Sequence, residues 1–183
     1  MTIHVHQCGP MTDTPEDHDV HDTNDDQTAA ESPAPLRPLD LRVARIARAR
    51  AHPNADRLLV LDIDLGDEER QIVAGIAAHY HPTDLDGLHI VVVANLLPAR
   101  LRGEISQGML LAAQNDDDLG LLLAPEAEPG TRIAAQPGTP DTISIDEFAA
   151  HDLQATPDGV TIDGQLIRTT HLTVDRGVTG KIR

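Results

Sequence analysis

Apolar and polar positions alternate in short runs along most of this chain, and the pattern changes character twice. Residues 1–36 have no hydrophobic periodicity; they are rich in Asp, Thr, His and Pro and end in SPAPLRP. Such a segment buries too little apolar surface to offset chain entropy, so it reads as a disordered acidic tail. Pro33, Pro35 and Pro38 make a stiff lead into the next segment. From Leu39 the pattern turns to short β-type runs between turn residues. Residues 41–50 fit a strand or, from Arg spacing alone, a helix with Arg42, Arg45 and Arg48 on one side. Residues 58–65, 71–76, 88–96 and 109–113 predict strands, with a tight turn at 66–69 and a helical turn at 82–85. Residues 120–124 and 130–134 read as further short strands. Beyond Pro137, Ser144-Ile-Asp-Glu147 is a capping-box sequence that starts a short helix through Ala150. Residues 159–162, 165–168, 172–174 and 181–183 then alternate with Asp-Gly and Arg-Gly turns and predict small hairpins.

Five strands with a short helix after the third are what an OB-fold requires. The expected class is all-β: an OB-fold five-stranded barrel with short helices over residues 39–136. The acidic tail of residues 1–36 precedes it, and a small β-rich C-terminal extension over residues 141–183 comes after it. That extension is too small to stand alone and is expected to pack on the barrel or on a second subunit.

Composition narrows the class. The core must be built from Leu, Ile, Val and Ala, because the aromatics are only Tyr80 and Phe148. The single Cys8 fits a reducing cytoplasm, and no apolar run approaches the length of a membrane span. The N-terminus carries acids where a signal peptide would carry bases, so a soluble, cytoplasmic protein is expected; Met1 and Met11 both remain open as its start. Of 30 acids 22 are Asp, and of 14 bases 13 are Arg. That balance suits a halophilic archaeon, whose salt at about 1 M shortens the Debye length to about 3 Å and relieves carboxylate repulsion. Residues 1–36 carry a charge of -8 and residues 115–183 carry -7, whereas residues 40–114 carry only -2.

The near-neutral segment holds four ordered motifs: HPNADRL from His52, QIVAGI from Gln71, VVVANLLPARLRG from Val91 and SQGMLLAA from Ser106. Together they resemble the tRNA-binding domain of methionyl-tRNA synthetase (beta-subunit or C-terminal type) and of free-standing tRNA-binding proteins, over roughly residues 39–133. The resemblance implies recognition of the folded corner of tRNA, largely independent of anticodon sequence. It also implies a homodimer, for which residues 141–183, beyond the resemblance, are a candidate interface.

An OB-fold binds nucleic acid with the face of strands 2 and 3 and with the loops joining strands 1–2 and 4–5. The first of these loops is residues 52–57, with Arg57; the second is residues 98–108, with Arg100 and Arg102. Arg42, Arg48 and Arg50 lie on one face of the first strand if it is regular, with Arg45 on the other. The alternative is that these arginines pair with neighbouring Asp as solvated surface. The family motif places Asn95, Ser106 and Met109 near the RNA surface: Asn95 and Ser106 as donors to phosphate or ribose, Met109 as an adaptable apolar contact or a core residue. Asn54 and Asp56 are expected to cap the turn after Pro53, and Gly103 and Gly108 to satisfy backbone conformations. With so few aromatics, a binder here reads shape and backbone rather than stacking splayed bases.

Enzymatic readings are weak. The chain has no Gly-rich phosphate loop, Cys-pair zinc site or nucleophile motif, and no cofactor is expected. Asp116, Asp117 and Asp118 read as a solvated loop, His79 and His81 as surface histidines, and His4, His6 and Cys8 as a weak metal cluster within the tail. The expected function is a non-catalytic tRNA-binding protein, acting alone or in trans with methionyl-tRNA synthetase. The alternative is a secretion-related peptide-binding chaperone of the same fold, whose groove should be apolar.

Overall fold

The computed structural model describes residues 36–116, 118–133, 138, 140–168 and 170–183. The proposed tail, with His4, His6 and Cys8, lies outside them, as does Asp117. The strands are β1 (Leu41–His52), β2 (Ala55–Asp64), β3 (Glu69–Ala74), β4 (His89–Val93), β5 (Ala99–Leu101), β6 (Glu104–Ser106) and β7 (Met109–Leu110). They continue as β8 (Ala112–Gln114), β9 (Leu119–Leu123), β10 (Leu153–Thr156), β11 (Gly159–Ile162), β12 (Gln165–Leu166), β13 (Thr173–Val174) and β14 (Gly180–Ile182). One helix, α1 (Ile145–Ala149), and 3-10 turns at Pro82–Asp84 and Asp175–Gly177 complete the described elements. The fold is all-β, and every strand pair is antiparallel.

Pairing follows an open path, β12-β11-β10-β14-β8-β9-β4-β1-β2-β3, with β13 on β9, β7 on β4 and the β5–β6 hairpin as a separate pair. The paired strands therefore do not close into the barrel read from the sequence. At the free edge of β3 the hairpin joins through single bonds instead of a ladder. Gln107 N donates to Gln71 O at 2.8 Å, and Val73 N donates to the Ser106 hydroxyl at 2.9 Å.

The apolar run at Ile90–Val93 is continuous because β4 is buried on both faces. Ile90 and Val92 enter a core with Ile46, Leu61, Ile63, Ile72 and Leu121. Val91 and Val93 enter a second core with Leu41, Leu111, Leu122, Phe148 and Leu153. The second core joins residues 141–183 to the central sheet. β14 pairs with β8, and Leu96 bridges Ile143. Tyr80 pins the same region: its buried hydroxyl donates to Asp175 at 3.0 Å and accepts from Leu121 N at 3.2 Å. Burial is the first cause that raises the Tyr80 phenol above its ordinary range.

Three readings need correction. The helical option at 41–50 is a strand. The strand expected at 130–134 is a single bridge from Arg132 to Arg42, with residue 134 outside the described residues. The long loop at 98–108 contains a hairpin whose two turn residues, Arg102 and Gly103, have φ of 52° and 108°. Strand β10 was not anticipated.

Candidate nucleic-acid interface

Strand β1 does not keep the regular alternation assumed from the sequence. Its register against β2 slips between Ile46 and Arg48, which leaves Ala47 as a bulge. Arg45, Arg48 and Arg50 pair with Asp64, Asp62 and Val60 and so share one face. Arg42 shares its face with the core residues Ala44 and Ile46 and so falls on the side opposite Arg45, Arg48 and Arg50. The expectation that Arg42, Arg48 and Arg50 lie together, with Arg45 opposite, is thus overturned by one inserted residue.

On the shared face, Arg48, Asp62 and Gln71 form one row across β1, β2 and β3. Arg50 donates to the Gln71 side-chain oxygen at 2.9 Å. The Gln71 amide nitrogen donates to Glu104 at 3.1 Å and to Ile105 O at 2.9 Å. The hairpin carrying Arg100 and Arg102 is therefore docked on the face that holds Arg48 and Arg50. Its other flank is held by His52, 6% exposed. The His52 Nε2 lies 3.2 Å from Leu101 O, while its Nδ1 accepts from Asn54 N at 3.0 Å. The His52 ring, and not the side chains of Asn54 or Asp56, closes the turn between β1 and β2. Arg57 comes after that turn in β2, where its carbonyl accepts from Ala77 N at 3.3 Å.

The eight candidate residues divide into three groups. Arg48, Arg57, Arg100 and Arg102 are exposed and make no ion pair among the described residues; Arg100 donates only to Gly103 O, at 3.1 Å. Met109 is half-buried, packs against the second core and lines an apolar groove of about 640 Å³ with Ile76, Leu97, Leu101 and Ile145. Arg42, Asn95 and Ser106 are tied internally. Arg42 pairs with Asp40 at 3.0 Å, and Arg132 reaches the other oxygen of Asp40 at 3.3 Å. The Asp40 bond is the first cause that raises the Arg42 guanidinium above its ordinary value.

Asn95 accepts from Asp40 N at 2.9 Å and donates to Pro38 O at 3.1 Å and Asp141 O at 2.7 Å. Ser106, 4% exposed, accepts from Val73 N and donates to Gly108 O at 2.9 Å. Gly108 has φ of 137°, and a Cβ there would stand 2.9 Å from Val93 O, so both conformation and space require glycine. Gln71 and His52 sit inside the motifs of the sequence, yet neither has a spacing that announces it as a connector.

The fold and this site define an all-β domain whose arginine-bearing hairpin is held against the sheet face that carries Arg48 and Arg50. The chain belongs to the tRNA-binding domain family: the family model described as "Putative tRNA binding domain" matches residues 41–132. A methionine–tRNA ligase of Thermotoga maritima is 56% identical over 97 residues, 52% of this chain. The match spans 13 to 15% of the length of that enzyme and its Thermococcus kodakarensis counterpart. Among solved structures, the C-terminal domain of Plasmodium vivax p43 aligns with a TM-score of 0.65 and 25% identity, covering 81% of this chain and 98% of that one. A methionyl-tRNA synthetase related protein from Pyrococcus horikoshii aligns with a TM-score of 0.51 and 35% identity, over 52% and 90%.

Proposed function

We propose that this protein is a non-catalytic, structure-specific tRNA-binding protein, accessory to methionyl-tRNA synthetase. The observation that carries the reading is a set of exposed guanidiniums, Arg48 on β1, Arg57 on β2 and Arg100 and Arg102 on the docked hairpin, that make no ion pair among the described residues in a chain of net charge -16. Arg37, Arg42, Arg45, Arg70, Arg132 and Arg176 each have a carboxylate within 4 Å, so the acidic surface could have neutralised this face as well. Exposed arginines without ion-pair partners favour a polyanion. Family membership names that polyanion as tRNA.

In this reading residues 39–136 are the OB-fold tRNA-binding domain, with its binding face on β2 and β3, and residues 141–183 are an extension. Arg48, Arg57, Arg100 and Arg102 contact phosphate, and Met109 supplies an apolar contact. Arg42, Asn95 and Ser106 act from behind by fixing backbone. The protein works as a homodimer in a cytoplasm rich in salt, and it raises the local concentration of tRNA for a catalytic partner.

A second reading, a peptide-binding chaperone, is favoured by the apolar groove beside the hairpin, with Leu97 and Ile145 more than half exposed. Fluorescence anisotropy in KCl at about 1 M, with folded tRNA in one arm and an unfolded presecretory peptide in the other, separates the two. The expected result is tRNA binding. In the Arg100→Glu, Arg102→Glu double variant, affinity should fall on the order of tenfold or more, with an unchanged circular dichroism spectrum. Tight peptide binding without tRNA binding would select the chaperone.

A further inference from the structure

We propose that His52 is a positioning residue for RNA recognition: its neutral ring ties the β1–β2 turn, which leads into Arg57 on β2, to the Arg100–Arg102 hairpin so that both segments present their guanidiniums in one fixed geometry. The inference rests on the tRNA-binding reading and adds how the site is held.

Three polar side chains from three separate motifs converge on the hairpin. Ser106 fixes its C-terminal end to Val73, Gln71 holds β6 through Ile105 O and Glu104, and His52 holds β5 through Leu101 O. The first two anchor the hairpin to β3. Among the described residues, His52 is the side chain that bonds it to the turn between β1 and β2, because its second nitrogen accepts from Asn54 N at 3.0 Å.

The chemistry fixes the tautomer. A backbone N–H faces Nδ1, so Nδ1 must present its lone pair. A backbone carbonyl faces Nε2, so Nε2 must carry the proton. The ring is buried, which makes loss of either bond costly. Arg102 gives the clasp a reason to exist. It sits at φ of 52° in the hairpin turn, a conformation that Asn or Gly adopts more easily. A short hairpin with a strained tip needs outside support to keep its tip in place. His52 provides that support one residue from the strain, at Leu101.

The test separates the two bonds of the ring. His52→Gln keeps a side-chain N–H that reaches toward Leu101 O, whereas the shorter His52→Asn keeps an acceptor close to Asn54 N but no donor that reaches Leu101 O. Binding of folded tRNA and hydrogen exchange of the β5 and β6 amides are measured for the full chain and for both variants, together with His52→Ala. The ring tautomer of the wild type is read from imidazole 15N chemical shifts.

The clasp predicts the Nε2–H tautomer. It also predicts that His52→Ala and His52→Asn lose about tenfold in tRNA affinity, the size of one net hydrogen bond, with faster exchange across the hairpin. His52→Gln should recover most of both. Recovery by Asn and not by Gln would overturn the proposal, because His52 would then only shape its own turn. So would an Nδ1–H tautomer, or wild-type affinity and exchange in all three variants. If His52→Ala fails to fold, the Gln and Asn pair and the tautomer still decide. If the wild type binds no tRNA, the functional reading falls, while hairpin exchange and tautomer still judge the clasp.

Discussion

Arg102 is the residue at which local preference and proposed use disagree most. It is a charged residue in a left-handed turn position, at φ of 52°, and it has no ion pair among the described residues to hold it there. A residue in such a conformation costs roughly 1–2 kcal/mol, and Asn relieves much of that cost. Arg102→Asn should therefore raise the melting temperature by about 2–4 °C while weakening tRNA binding, as thermal denaturation and a binding titration of one preparation will show. A variant that binds tRNA as well as the wild type would remove Arg102 from the interface. Asn95 and Ser106 teach the opposite lesson. Both look like donors in the sequence, and both spend their side chains on backbone groups that hold neighbouring segments. A polar residue in a motif can be indispensable to a ligand it never touches.

At the level of elements, the local signals were the readable ones. The α1 cap was legible because it involves only residues 144–147: Ser144 Oγ accepts from Glu147 N at 3.2 Å, and the Glu147 carboxylate accepts from Ser144 N at 2.8 Å. Ser144→Ala should cost about 1 kcal/mol in chemical denaturation. The same cap has a pH signature. The Ser144 N–H is the first cause that holds the Glu147 carboxyl below its ordinary value of 4.5. The folded state therefore releases that proton more readily than the unfolded chain does. Its contribution is complete above 4.5 and disappears as the pH falls through the lower folded value. Acid titration of stability should show this loss in the wild type and less of it in Glu147→Gln.

The β1 bulge was not legible. Nothing in LRVARIARARAH marks Ala47 as the residue left unpaired, because the slip exists only relative to β2. That single slip moves Arg48 and Arg50 from the side of Arg42 to the side of Arg45. The hairpin of β5 and β6 was also hidden, since Arg-Gly is a weaker turn signal than Asn-Gly or Asp-Gly.

For the molecule as a whole, charge and ligand stand in tension. A net charge of -16 repels RNA at low salt, and added salt screens that repulsion while it also weakens the arginine–phosphate contacts. The two effects oppose each other, so the dependence of tRNA affinity on KCl should be shallow, with hydrogen bonds and shape carrying more of the binding. A plot of log affinity against log salt concentration measures this directly. A slope steeper than about -4, the value for four phosphates neutralised, would place more cations on the RNA than Arg48, Arg57, Arg100 and Arg102 supply.

What the sequence by itself determined was what depends on neighbours along the chain. It specified the short alternating strands, the helix cap, the family motifs and the near-neutral charge of the segment that carries them. Tertiary structure alone decided which polar residues face outward and which are consumed. His52, Gln71 and Ser106 lie 19 and 35 positions apart, and only the fold brings them to one hairpin. The physical reason is the range of the interactions: periodicity and capping act within a few residues, whereas register, bulges and side-chain bonds between loops arise only when distant strands meet.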